Sequence, residues 1–143
     1  MYKKILVPLD MEERRLNAQA VAVAEDLGAH FGASITALSA IPNFSENPLV
    51  ASYFPSDAAQ KAYSEACADF KKVVESQFKD PDAVKCVIVE GSPRKEIVKY
   101  VKEHGIDLIV MPARKNDLGK MLLGSNSSHV ADHAPCSILI VRP

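Results

Sequence analysis

The run Gly124-Ser125-Asn126-Ser127 closes a loop and opens a short helical stretch that reaches His133. Hydroxyls and an amide cluster there behind a glycine. A helix starting at that point directs unpaired backbone N–H groups and the positive end of its dipole to one spot, which suits a phosphate. The plainer reading is that Ser125 only N-caps a surface helix. Asp10 ends the apolar run Lys4-Ile5-Leu6-Val7-Pro8-Leu9 and is either a ligand contact or a turn cap. His129 and His133 lie four apart on one helical face, a spacing that can bind a metal. No acidic or cysteine partner has a place beside them in the expected fold, so a solvated or capping pair is the preferred reading. No nucleophile with an adjacent base can be assembled, which argues against a dedicated enzyme.

Positioning these residues requires a scaffold, and hydrophobic periodicity outlines one. Lys4 to Leu9 reads as a strand covered on both faces. From Arg15 to His30 the apolar residues Leu16, Ala20, Val23, Ala24 and Leu27 recur at helical spacing, with Gly28 and Gly32 as stops. Ser34 to Ile41 is a second strand ended by Pro42, followed by a long loop from Asn43 to Ser56 whose length suits a lid. Phe44, Tyr53 and Phe54 in that loop could cover a bound base, although packing onto the domain or a partner is the safer reading. Asp57 to Phe78 is an amphipathic helix with Ala62, Ala66, Phe70, Val73, Val74 and Phe78 as its stripe.

Val84 to Val89 is a third strand; Ser92 and Pro93 then start a helix that ends at His104-Gly105, with Ile97, Val98, Tyr100 and Val101 apolar. Ile106 to Met111 is a fourth strand, Pro112 to Leu123 a loop, and Cys136 to Arg142 a fifth strand. Strands alternating with helices predict an α/β protein: a parallel sheet with helices on both faces, Rossmann-like, with right-handed crossovers. Ligands of such sheets sit beyond the carboxyl ends of the strands where strand order reverses, so the turns carrying Asp10, Ala40-Ile41, Gly91-Ser92 and Met111 to Ser127 should converge.

Composition narrows the functional classes. Residues 1–143 suit a single domain, with no repeat, low-complexity tract or linker. The 17 basic and 18 acidic residues are interspersed, which argues against a nucleic-acid partner. The apolar run at the start is too short for a leader or a membrane span, so a cytoplasmic protein is expected. Cys67, Cys86 and Cys136 lack ligand spacing and read as small buried hydrophobes in a reducing compartment.

Ile5-Leu6-Val7-Pro8-Leu9-Asp10, Glu90-Gly91-Ser92-Pro93, Asp107-Leu108-Ile109-Val110-Met111, Leu122-Leu123-Gly124-Ser125-Asn126 and the tail from His133 to Arg142 together resemble the universal stress protein family, over essentially the whole chain. The resemblance implies strand order 3-2-1-4-5 and ATP, with or without Mg2+, at the switch point. It implies Pro8, Leu9 and Asp10 beside the adenine or ribose and the Ala40 backbone on the adenine edge, with Val7 and Ile41 as apolar walls. Gly124, Ser125, Asn126 and Ser127 would hold phosphates. The family's pattern Gly-x2-Gly-x9-Gly-(Ser/Thr) keeps only its final Gly124-Ser125. Met111 and Arg114 stand at its first two glycines, or Pro112 and Lys115 if the alignment slides by one. The loop resembles the F and G type branch, whose first glycines are irregular; Arg114 and Lys115 could supply charge in place of lost amides.

These features point to an ATP-binding stress-response regulator or sensor, with no more than weak hydrolysis or self-phosphorylation. The alternative is a dimeric scaffold of the same fold that has lost nucleotide and acts through protein partners. A phosphorelay receiver would need more acids around Asp10 and a lysine ending strand five, and both are missing. A homodimer through residues 136–142 is expected, because the last strand is apolar and would otherwise be a bare sheet edge, and the family pairs it across a two-fold axis. A charge at Ile138 or Ile140 is expected to disturb that pairing.

Overall fold

The computed structural model describes residues 1–41, 56–113 and 123–142. Five strands, β1 (Lys4–Pro8), β2 (Ser34–Ile41), β3 (Val84–Glu90), β4 (Leu108–Pro112) and β5 (Ser137–Val141), alternate with helices α1 (Arg14–Phe31), α2 (Ser56–Gln77), α3 (Pro93–His104) and α4 (Ser125–His133). A single 3-10 turn, Pro81–Ala83, joins α2 to β3. All pairings are parallel and the strand order is β3-β2-β1-β4-β5. The boundaries lie within about two residues of those expected from the sequence, because buried parallel strands announce themselves as short apolar runs.

Side-chain alternation divides the core between the two faces of the sheet. Ile5, Val7, Ala37, Leu108 and Val110 pack with Ala20, Val21 and Ala24 of α1 and with Phe70, Val73 and Val74 of α2. Leu6, Leu38, Ile109 and Met111 point the other way, onto Ile97, Val98, Tyr100 and Val101 of α3 and Val130 of α4. Helices therefore cover both faces, as the near-continuous apolar strands required.

The buried face of α1 is rotated from the expected stripe. Asn17, Ala20, Val21, Ala24 and Gly28 are buried, whereas Leu16, Val23 and Leu27 are only half-buried. Small residues win the central positions because the helix lies close to the sheet: a Cβ added at Gly28 would stand 3.0 Å from Cδ1 of Ile35. Gly28 is thus a packing residue, and the stop is Gly32, the left-handed C-cap at φ 65°. The cysteine expectation is also corrected: Cys86 is exposed, and Cys67 and Cys136 are half-buried. β3 is an edge strand, so its alternate side chains lack a full cover. Partial burial, with the Asp107 carboxylate nearby, pushes the Cys136 thiol up.

Asp107 stitches the amino ends of the central strands together. Its carboxylate accepts the Lys3 N–H at 2.9 Å and the Lys4 N–H at 3.1 Å. Asp107→Ala should cost about 1–2 kcal/mol in urea unfolding, since two charge-assisted bonds at a half-exposed site are lost. A loss below about 0.3 kcal/mol would show that water replaces the carboxylate without penalty.

Candidate functional site

β1 and β4 are neighbours from which the chain departs in opposite directions along the sheet, so their carboxyl ends open a crevice. β1 ends at Pro8 and its line continues through the Leu9 N–H, which donates to the Leu38 carbonyl at 2.8 Å. On the far side of β2, the Gly91 N–H donates to the Ile41 carbonyl at 2.8 Å. The Ala113 N–H bonds the Val141 carbonyl at 2.9 Å beyond β4. These bonds fix the rim that the strand ends share.

At that rim lies a cavity of about 620 Å³, within the range of sites that enclose small organic ligands. Part of its lining is apolar and buried: Leu9, Leu38, Ile41, Ile97 and Met111 are each at least nine-tenths buried. Asp10, Glu12 and Glu13 of the loop after β1 also line it. So does the start of α4, with Gly124, Ser125, Asn126 and Ser127.

Gly124, not Ser125, is the N-cap, and among the described residues no side-chain hydrogen bond caps the helix. That removes the plain capping role for Ser125, which is the first helical residue. The first bond of the helix runs from the Ser128 N–H to the Gly124 carbonyl at 2.9 Å. The N–H groups of Ser125, Asn126 and Ser127 therefore stand outside the helix's own ladder, at the positive end of its dipole and on the cavity wall. Such an end accommodates an anion.

Asp10 does cap a turn: its Oδ1 accepts the Glu12 N–H at 3.0 Å while the residue lines the cavity. The turn-cap reading of Asp10 therefore holds, and the same residue stands on the cavity lining. The cavity brings together Pro8, Leu9, Asp10, Ala40, Met111, Gly124, Ser125, Asn126 and Ser127. Val7 is not a wall; it is fully buried among α1 and α2 residues, because alternation turns it to the other face of the sheet. From the turn after β3 it is Pro93 and Ile97 of α3 that reach the cavity, while Gly91 and Ser92 do not. Ser92 is an N-cap by backbone alone. Arg114, Lys115, Phe44, Tyr53 and Phe54 lie outside the described residues.

Ser39, Leu16 and Asn17 also line the cavity, although no motif marks them. Asn17 had a signal: it occupies the same helical stripe as Ala20, Val21, Ala24 and Gly28, where a polar residue calls for an explanation. The imidazoles of His129 and His133 stack at 4.1 Å, and Nδ1 of His133 meets the His129 carbonyl at 2.9 Å. Partial desolvation, then the charges of His133 and Arg94, hold His129 below its usual value. No group of three metal-ligating side chains occurs among the described residues. Nor is any described helix long and apolar enough to cross a membrane.

Residues 1–142 match the Universal stress protein family. Universal stress protein G of Shigella flexneri is 32% identical over 145 aligned residues, covering 99% of this chain and all of that protein. The solved structure of the universal stress protein UspA from Lactobacillus plantarum superposes with a TM-score of 0.65 at 28% identity, covering 99% of this chain and 98% of that one. A universal stress protein solved in complex with cAMP shares the fold, with a TM-score of 0.66 at 20% identity over 99% of this chain and 97% of that one. Strand order, crevice and sequence agreement along the full length lead to one conclusion: the chain belongs to the universal stress protein family.

Proposed function

We propose that the protein is a cytoplasmic stress-response regulator or sensor whose state depends on ATP bound in the β1–β4 cavity, the whole chain 1–143 acting as one domain. The observation that supports this most is the pairing of an apolar slot with a helix start that, among the described residues, carries no side-chain cap. The slot between Leu38, Ile41 and Met111 suits a flat base, and the start of α4 suits phosphate. The Asp10 carboxylate suits ribose hydroxyls. A related fold in complex with cAMP lends weight to an adenine ligand. Arg114 and Lys115 add charge toward the phosphates in this reading, and Mg2+ accompanies the nucleotide as its counter-ion. A hundredfold excess of ATP over Kd stabilises the folded state by about 2.7 kcal/mol. The melting temperature should then rise by roughly 5–10 °C; no rise at millimolar ATP would count against the reading.

A second reading, a scaffold without nucleotide, draws on Met111 and Pro112. Both line the cavity near where the family pattern has glycine, and Pro112 has no N–H to offer a phosphate. In either reading the protein acts as a homodimer through its C-terminal strand, residues 136–142. β3 and β5 are the two sheet edges. β3 bears Lys85 and Glu90, the kind of charge that blunts an edge, whereas β5 reads Ser-Ile-Leu-Ile-Val with Leu139 exposed. Ile138 and Ile140 pack into the core beside α3 and α4, so a charge there would perturb the fold as well as the edge. Leu139→Glu is the cleaner test: light scattering should show a dimer for the wild type and a monomer for the variant. A monomeric wild type would contradict the pairing.

A further inference from the structure

Asn17 is the most deeply buried polar side chain among the described residues, with no exposed surface. It sits one turn into α1, yet its amide reaches back to the loop after β1. Its Nδ2 donates to the Asp10 carbonyl at 2.5 Å, and its Oδ1 accepts the Asp10 N–H at 3.4 Å. One planar amide thus holds both backbone polar groups of a single residue, as a neighbouring strand would. The Glu13 N–H closes the same turn on the Asp10 carbonyl at 3.2 Å, and the Asn17 N–H bonds the Glu13 carbonyl at 3.1 Å. Residues 10–13 and Asn17 all line the cavity.

A leucine, branched at the same carbon, would serve packing alone at this stripe position, and the helix does not require an asparagine there. The polar side chain is explained by the loop it holds. We infer that Asn17 is a positioning residue of the site: it locks the Asp10–Glu13 rim in the shape that receives ligand. This rests on the ATP reading for its ligand, while the lock itself is independent of which ligand binds. Asp10 then presents its carboxylate from a backbone that cannot turn away, and the site is organised before anything enters it.

The chemistry of the lock gives it a signature beyond general stability. In Asn17→Asp, an ionised carboxylate would face the Asp10 carbonyl with no proton to donate. Once protonated, it offers an O–H to that carbonyl and an oxygen to the N–H. Burial raises the pKa of such a carboxyl, and the Asp10, Glu12 and Glu13 carboxylates on the same rim raise it further.

ATP affinity of the wild type, Asn17→Leu and Asn17→Asp should be measured by calorimetry from pH 8 to pH 5, with amide exchange of residues 10–13 followed in the ligand-free proteins. The leucine variant should bind at least tenfold more weakly than the wild type at every pH and exchange its rim amides faster. The aspartate variant should be as weak at pH 8 and recover at least fivefold relative to the wild type by pH 5. Wild-type affinity in the leucine variant, or an aspartate variant whose deficit is the same at both ends, would overturn the inference. A wild type that binds no ATP would overturn the nucleotide reading instead. The lock would then be judged by exchange alone, and unchanged rim protection in Asn17→Leu would refute it.

Discussion

Gly124→Val should weaken ATP binding by more than tenfold, about 1.4 kcal/mol, while leaving the melting temperature within about 4 °C of the wild type. Gly124 has φ −64° and ψ 164°, a conformation open to any residue, and a Cβ added there meets no heavy atom within 4 Å. The fold therefore makes no demand for glycine at this position. What the missing side chain does leave clear is the approach to the N–H groups of Ser125, Asn126 and Ser127. Valine is a poorer N-cap than glycine by up to about 1 kcal/mol, and the lower entropy of its unfolded chain offsets about 0.4–1 kcal/mol of that. Gly124→Ser sharpens the test, because its hydroxyl would occupy the helix start itself. It should gain about 0.3 kcal/mol of stability and still lose affinity. Calorimetry beside thermal melts separates the two effects, and undiminished ATP binding in Gly124→Val would remove phosphate from the start of α4.

Phe70→Ala is expected to have the largest effect on stability, about 3–5 kcal/mol. Phe70 heads the fully buried side chains by volume and belongs to the core shared by α1, α2 and strands β1, β2 and β4. Truncation both forfeits the transfer of an aromatic ring from water and leaves a void that close-packed neighbours fill only in part. Domains of this kind are stable by about 5–15 kcal/mol, so the variant stands near the edge of folding. Its urea midpoint should fall by roughly 2 M, and Phe70→Leu should recover most of the loss. A cost under 1 kcal/mol would mean that α2 does not pack on the sheet as described. While it remains folded, the variant should keep its affinity for ATP, because Phe70 lies outside the cavity lining.

Much of the fold could be read from residue pattern. The runs Ile5-Leu6-Val7 and Leu108-Ile109-Val110 signalled strands covered on both faces, and Gly32 and Gly105 marked helix ends that the structure closes with left-handed glycines. What pattern could not supply was closeness of approach. Leu16, Val23 and Leu27 looked like the buried stripe of α1 because they are large, but small residues take the centre where the helix meets the sheet. The cavity lining was legible where a motif marked it, at Pro8 to Asp10 and at Gly124 to Ser127. Asn17 was passed over because the stripe drawn through Leu16, Val23 and Leu27 set it aside, although it shares the helical register of Ala20 and Ala24 and folds back on the preceding loop. Val7 was misplaced for a simpler reason: in a strand, neighbours in sequence face opposite layers.

The most direct test of nucleotide binding is to denature freshly purified protein, identify by chromatography whatever small molecule is released, and titrate the emptied protein with ATP and Mg2+ by calorimetry. The account predicts about one adenine nucleotide per chain, or stoichiometric uptake on titration, with both lost in Gly124→Val. Protein that releases nothing and produces no binding heat at millimolar ATP would contradict it, and would leave the dimeric scaffold as the function of this fold.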